Sequence, residues 1–437
     1  MNLLLILDNL SPNCGANVGI AFELMTKWKE AGHSIYCLAR EDKYHELDAN
    51  KAAVLDKVWT FRVKEDDILN DFSRASKWIN ASSMQKAKLL ATHPIVFSKM
   101  LDKKYFESSE IQREYLKQIN ELCKTHKFDA AIAVTEPFYI ADALAKADVN
   151  CTKYTIMMDP YTNNPSTTKC NRDKKLRKEL NVFATNKNVF TLDFVGNDMD
   201  YLPNEYQEKV VKFGIPKISI ISQKDDLKLS PQEKAITMPD KQSASANQAK
   251  DASINAKHDT INFIYVGQLY EDIRNPELML KMFCELPDNY VLHLYGGGAD
   301  RIVNQYKDLL KNRLVCHGWV SADEAKEATN NADILINLNN KIKNMLPSKL
   351  VDYIDTGKPI LNICQIKECP SLEYTKKYPM AVDVLPTDDL ETIKGKVRVF
   401  SGRYAGKLIK HDIIEKLFIE YTSDYVSNML LSSILND

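Results

Sequence analysis

The sequence predicts an α/β protein of two Rossmann-like domains facing a cleft, with C-terminal helices packing back toward the N-terminal domain. Its 437 residues exceed what one hydrophobic core usually supports. Short apolar runs alternate with segments of helical period from the first residue, the rhythm of βα units around a parallel sheet. That alternation breaks once, across a polar stretch, and then restarts.

In the first half, LLLIL reads as a strand before the helix of GIAFELMTKWKEAGH, and SIYCLA follows as the next strand. AAIAV precedes the helix FYIADALAKA, and KYTIMM and NVFTLDF complete a first block that ends near Phe194. Residues 221–259 are rich in Ser, Ala, Lys and Gln without apolar spacing, which predicts a mobile loop or linker. The second block runs through INFIYVG, ELMLKMFCEL, YVLHLYGGG, RLVCHGWV, ADILINL and SKLVDYIDTGKPILNI. HDIIEKLFIEYTSDYVSNMLLSSIL has helical spacing and no strand after it, so one or two terminal helices are expected. The domains are therefore expected at 1–214, at 215–400 with the polar loop near 221–259, and at 401–437 for helices crossing back.

Composition narrows the function. The 58 basic and 59 acidic residues leave a formal net charge of -1, which argues against bulk nucleic acid as a partner. Nine cysteines stand without a CxxC pair or metal-ligand cadence, so neither a disulfide framework nor a structural zinc site is expected. The start MNLLLILDNL has no basic leader, and no run approaches the ~20 apolar residues of a membrane span. The expectation is a cytoplasmic protein, soluble or attached to the inner face of a membrane.

In open α/β sheets, ligands bind beyond the carboxyl ends of strands, where helix N-termini favour anions. Five loops qualify. NLSPNCGANVG follows the first strand, and its Gly15 permits close backbone approach, although the pattern falls short of GxGxxG. GQLYEDIRNP follows FIYV; Arg274 there suits phosphate, or else pairs with Glu271 or Asp272. YGGG and HGWV follow later strands. Gly296 and Gly297 offer either an approachable surface or a flexible turn, and His317 is either a ligand contact or a structural histidine.

The fifth loop, KNMLPSKLVDYIDTGKPI, carries the strongest signal. Pro347 suits a first helical turn and Gly357 a stop, so Lys349 falls where a cation opposes the helix dipole. A bound phosphate explains that placement. Asp352, three residues on, shares its face and can accept hydrogen bonds from hydroxyls.

Taken in order, GQLYEDIRNPE, LHLYGGG, CHGWVS, ADILINL and LPSKLVDYIDTGKPIL resemble the retaining, two-domain GT-B glycosyltransferases of family 4, especially those of bacterial polysaccharide synthesis. The resemblance covers residues 260 to 365 and reaches the first half through architecture. It implies that Arg274 and Lys349 hold a donor diphosphate and that Asp352 holds the ribose. The family's paired glutamates stand here as Asn344 and Asp352, the first at the donor-sugar position. The full donor set it implies is Gly267, Arg274, Gly296, Gly297, His317, Gly318, Val320, Leu346, Ser348, Lys349 and Asp352, with Arg274, Lys349 and Asn344 at the reacting centre. Gly15, Glu136 and Asp159 are the acceptor-side candidates, the last two from TEPFY and MMDPYTNN, or else loop residues or helix caps.

The implied reaction moves a hexose from a nucleoside diphosphate to a saccharide or lipid-linked acceptor with retention, and the protein's main task is electrostatic. The nucleotide sugar is a co-substrate, no cofactor is expected and no essential metal. Asp198-Met199-Asp200 is the one Asp-x-Asp metal candidate, with a helix cap as its other reading. Two basic stretches, 75–106 and 169–178, are either contacts with an anionic membrane or solvated helix faces. A sugar-nucleotide epimerase and a catalytically silent nucleotide-sugar-binding protein are the alternatives.

Overall fold

The computed structural model describes residues 1–12, 14–42, 45–63, 109–135, 137–164, 169–220, 235–236 and 260–435. The chain divides into two compact units, one of Met1–Gly214 with Ser423–Asp437 and the other of Ile215–Thr422.

The first unit holds a seven-stranded parallel sheet. Its strands are β1 (Asn2–Ile6), β2 (Ser34–Glu41), β3 (Lys57–Arg62), β4 (Ala130–Val134), β5 (Thr152–Met157), β6 (Asn188–Leu192) and β7 (Val210–Phe213), in the order β3-β2-β1-β4-β5-β6-β7. Strands covered on both faces need unbroken apolar runs, and Leu3, Leu4, Leu5 and Ile6 are all fully buried. Each such side chain contributes about 1.5–3 kcal/mol on burial. Helix α1 (Ala16–Glu30) turns Val18, Ala21, Leu24, Met25 and Trp28 inward.

The last helix, Ser423–Leu435, belongs to this first unit. Its Ser427 carbonyl accepts from Trp28 Nε1 at 3.0 Å, and its Asp424 pairs with Lys27 at 2.8 Å. The helices Leu390–Tyr404 and His411–Leu417 stay with the second unit, so the return begins at Ser423 rather than near residue 401. The first sheet also runs past Phe194. Residues Asp193–Gly196 form a helical turn, with Asp193 Oδ1 accepting from the Phe194 amide at 2.7 Å, and β7 follows at the edge. Only Phe213 of β7 is buried, which is why no apolar run announces it.

The second unit holds a six-stranded parallel sheet of β9 (Ile261–Val266), β10 (Tyr290–Tyr295), β11 (Leu314–Gly318), β12 (Ile334–Leu338), β13 (Ile360–Ile363) and β14 (Ala381–Val384). The order is β11-β10-β9-β12-β13-β14. A two-stranded ribbon pairs β8 (Ala235–Ile236) with β15 (Leu408–Ile409), and the rest of the polar stretch 221–259 lies outside the described residues. In both sheets the order reverses beside the first strand, between β1 and β4 and between β9 and β12. That reversal is the crevice where open α/β sheets take ligands. Among the described residues, no helix is long and apolar enough to cross a membrane.

Candidate functional site

At the β9 end of the second sheet, three loops continue pairing past their strands. The Gly267 amide donates to the Tyr295 carbonyl at 2.8 Å, Gly296 to Gly318 at 2.7 Å and Leu269 to Gly297 at 2.9 Å. This crossing explains the glycine run. Gly296 has φ +120°, and a Cβ there would stand 2.2 Å from the Gly267 carbonyl oxygen; Gly298 meets Leu269 in the same way. The turn is therefore sterically demanded rather than merely flexible. Over Gly297 lies the indole of Trp319, which is 72 % exposed.

Arg274 joins this loop to the one after β12. Its Nε donates to Asn340 Oδ1 at 2.9 Å and its Nη1 to the Gln268 carbonyl at 3.3 Å, while the Lys341 amide donates to the Ile273 carbonyl at 2.7 Å. Neither acid of its loop takes it. Glu271 pairs with Arg301 at 2.7 Å, and Asp272 accepts from the Ile273 amide. A guanidinium has five N–H donors, so Arg274 keeps some for a ligand.

Helix α11 (Lys349–Asp355) begins in a tight turn, the Leu350 amide donating to the Pro347 carbonyl at 3.0 Å, with Ser348 just before it. It stops at Gly357, whose φ is +73° and whose missing Cβ leaves room for the Ile409 carbonyl. The buried phenol of Tyr353 accepts from the Val266 amide at 3.2 Å, which fixes the helix to the end of β9. Burial pushes that phenol upward, with Asp352 adding to the rise and Arg274 opposing it.

Asp352 lies between two lysines, with Lys217 Nζ at 2.9 Å and Lys349 Nζ at 3.7 Å. Lys217 is a residue sequence reasoning missed, because it lies 135 positions away. Asn344 and Leu346 are buried at 3 % and 7 % exposure, inside the packing of the loop after β12. Beneath that loop, Asn337 and Asn339 both donate to Asn362 Oδ1, at 2.8 and 2.7 Å, and Asn362 donates to Asp383 at 2.7 Å. The signal was visible, since asparagine is a poor strand residue and ADILINL and ILNI place Asn337 and Asn362 inside strands.

His317 and Val320 face the side of the sheet covered by the helix Ala322–Asn331. They line a cavity of about 560 Å³ with Asn262, His293, Tyr295 and Glu327. The β10–β11 register shifts between Leu294 and Tyr295, which leaves His317 as the extra residue of the bulge, its ring stacked on Tyr295 with centroids 3.9 Å apart and 5.3 Å from that of His293. Asn262 donates to Asp333 at 3.1 Å, so its Oδ1 accepts from His293 Nε2 at 3.2 Å. His293 Nδ1 is then left to accept from His317 Nε2 at 3.0 Å. Burial lowers both histidines, and for His293 the charge of His317 adds to the effect.

In the first unit, Gly15 precedes α1 with ordinary extended backbone, and a Cβ there would meet nothing within 4 Å. Asp159 accepts from Asn17 Nδ2 at 2.8 Å, which joins the loop after β5 to the first turn of α1. Tyr161 stacks on Phe138 with centroids 3.6 Å apart. Glu136 and the basic stretch 75–106 lie outside the described residues. In the second basic stretch, Arg172 donates to Asn163 at 3.0 Å and Lys178 stands 4.0 Å from Asp142. Asp198 accepts from Asn163 at 3.2 Å, and among the described residues no three His, Cys, Asp or Glu side chains converge as for a metal.

No protein-family model matches the chain, and no curated protein matches it in sequence. Solved structures do match. HepE of Anabaena in complex with UDP is similar at TM-score 0.58 and 9 % identity, over 100 % of both chains. A glycosyltransferase of Rickettsia africae gives 0.58 and 12 %, over 100 % of this chain and 99 % of that one. A variant of S. aureus TarM in complex with fondaparinux, α-GlcNAc-glycerol and UDP gives 0.56 and 10 %, over 100 % of both. At such identities the likeness is one of fold, and with two parallel Rossmann-like sheets the chain has the GT-B fold.

Proposed function

We propose that this protein is a glycosyltransferase that moves a hexose from a nucleoside diphosphate to a saccharide or lipid-linked saccharide, with retention, in cell-surface glycan synthesis. The observation that carries the reading is the group at the second switch point. Arg274 is held at the end of β9 by Asn340 and the Gln268 carbonyl, Tyr353 fixes α11 to the same strand end, and Lys349 and Lys217 flank Asp352 on that helix. A diphosphate needs fixed cations and a ribose needs a carboxylate acceptor, and both stand beside the end of β9. The structural neighbours HepE and TarM, each crystallised with UDP, support a uridine nucleotide as the first donor to try.

In this reading, negative charge grows on the leaving diphosphate as the sugar acquires oxocarbenium character. Arg274 and Lys349 stabilise the leaving group, and removing one such donor costs about 2.7–4 kcal/mol of barrier by analogy with oxyanion-hole deletions. The charge is assigned to side chains and amides, so no metal is required. The loops after β1 and β5, with Gly15 and Asp159, take the acceptor. Such an enzyme works in the cytoplasm on acceptors at the inner membrane face.

One observation favours a second reading. Asn344, at the donor-sugar position, is a buried amide, which suits a protein that holds the nucleotide sugar without transferring it. Incubation with radiolabelled UDP-sugars and a lipid-linked acceptor separates the two. Glycan extension supports transfer; saturable binding without turnover supports the silent form; isomerisation of the free donor would make it an epimerase.

A further inference from the structure

Three polar residues stand in register across the second sheet, Asn337 of β12 opposite Asn362 of β13, and Asn362 opposite Asp383 of β14. Strands covered on both faces need apolar side chains, yet Asn337 and Asn362 are 2 % and 0 % exposed. Asn339, two positions past Asn337 and so on the same face, is 0 % exposed as well.

The polarity of this row is set from one end. A carboxylate only accepts, so Asn362 turns its Nδ2 to Asp383 Oδ1 at 2.7 Å and its Oδ1 the other way. There Oδ1 accepts from Asn337 at 2.8 Å and from Asn339 at 2.7 Å. The remaining side-chain N–H groups are also placed: Asn337 donates to Asn339 Oδ1 at 3.2 Å, Asn339 to the Ile363 carbonyl at 3.0 Å and Asn362 to Ser371 Oγ at 3.0 Å. Thr375 holds the carboxylate itself, donating to Oδ1 at 2.9 Å. A buried amide network satisfied in this way admits one arrangement.

What the row supports is the segment that holds Arg274. At the switch point β12 parts from β9: Ile334 and Leu335 pair with β9, whereas Leu335 to Leu338 pair with β13. Residues 339–341 thus leave the sheet braced from the β13 side, where the Asn339 amide donates to the Ile363 carbonyl at 3.0 Å and Gln365 Nε2 donates to the Asn339 carbonyl. The very next residue, Asn340, accepts from Arg274 Nε at 2.9 Å, and the Lys341 amide donates to the Ile273 carbonyl at 2.7 Å.

We infer that Asn362, oriented by Asp383, is a positioning residue for Arg274, acting through Asn339 and Asn340 to fix the guanidinium at the end of β9. Its consequence for a bound nucleotide rests on the proposed function; the placement of the guanidinium does not.

The test uses the full chain and two readouts. The first is the Nε–H signal of Arg274 in a nitrogen–proton correlation spectrum, assigned by its loss in Arg274→Ala. Its exchange with water should be slow in the wild type and at least about tenfold faster in Asn362→Leu, which removes the acceptor shared by Asn337 and Asn339. The second is calorimetric titration with UDP, GDP and ADP. Asn362→Leu should weaken nucleotide binding about tenfold, but by less than about twofold in an Arg274→Ala background, because residues that act through one another are not additive. Asp383→Asn keeps an acceptor oxygen for Asn362 and should stay close to the wild type in both readouts, whereas Asp383→Leu should match Asn362→Leu. That pair decides the matter even if Asn362→Leu fails to fold. An Arg274 signal unchanged in the leucine variants, or losses of affinity from Asn362→Leu and Arg274→Ala that multiply, overturns the inference. If the signal behaves as expected while no nucleotide binds, or binding ignores Arg274→Ala, the proposed function fails and the positioning role stands.

Discussion

In the second sheet, the loops at the switch point keep cations available: Arg274 has unused donors, and Lys349 is 53 % exposed. In the first sheet, with the same reversal of strand order, the cations hold the loops themselves. Arg40 is bound to Asp8 at 2.9 Å, Lys51 to the Ser11 carbonyl at 2.6 Å, and Lys175 to Tyr161. The glycines differ in the same sense. Gly296 sits where any Cβ collides with backbone, whereas Gly15 borders open space. One topology thus carries two kinds of loop, one that presents cationic side chains on woven backbone and one braced by its own side chains, so function has to be read from the loops and not from the fold.

The comparison can be broken first at Arg274. Replacing it with alanine is expected to lower kcat by roughly 10²–10³-fold in a transfer assay, and lysine should restore only part, since one ammonium cannot reproduce a forked donor. Lys349→Ala should act in the same direction. An equal loss from Arg40→Ala measured as activity per folded protein would erase the distinction between the two switch points.

Stability gives the next contrast. Gly296→Ala forces a Cβ against the Gly267 carbonyl at positive φ and should cost about 1–3 kcal/mol in thermal unfolding. Gly15→Ala should stay within about 0.5 kcal/mol. Similar costs for both would mean that the woven turn relaxes more than its geometry suggests.

A smaller effect should appear in the pH dependence of unfolding. Glu179 is raised from 4.5 to about 7, so the folded state holds the proton more tightly than the unfolded chain across that window. Stability from this group therefore falls as pH rises from 4.5 to 7, at no more than about 1.4 kcal/mol per unit, and Glu179→Gln should flatten the slope. In the second unit the sign reverses at Asp355. Burial tends to raise this carboxyl, but His411 and Ser219 together outweigh it and hold it below 3.8, so its contribution is lost only as pH falls through the lowered value. The smallest expected effect is none: chelation with EDTA should leave transfer unchanged.

Much of this was legible in the sequence where one residue type has one physical use. Buried parallel strands demand apolar runs, so LLLIL and AAIAV announce the centre of the first sheet, and TGKPI announces the end of α11. The loops after β9 and β12 stood out as candidate anion sites because Arg274 and Lys349 lie in or at the end of loops that lead from a strand to a helix. What stayed hidden depends on distance in sequence or on packing. Lys217 reaches Asp352 across 135 positions, and β7 buries one side chain only. The bulge that sets His317 against His293 leaves no mark in spacing, and Glu179 looks like any solvated residue of a basic helix until its stripe is seen to face the core.

The central claim is that the second switch point binds a nucleoside diphosphate through Arg274 and Lys349. Calorimetric titration of UDP, GDP and ADP into the wild type, Arg274→Ala, Lys349→Ala and Gly15→Ala tests it most directly. The account predicts saturable binding of at least one nucleotide, weakened at least about tenfold by either cation deletion, a loss near 1.4 kcal/mol, and unchanged by Gly15→Ala. Binding that is indifferent to both cation deletions, or absent for all three nucleotides, would contradict it.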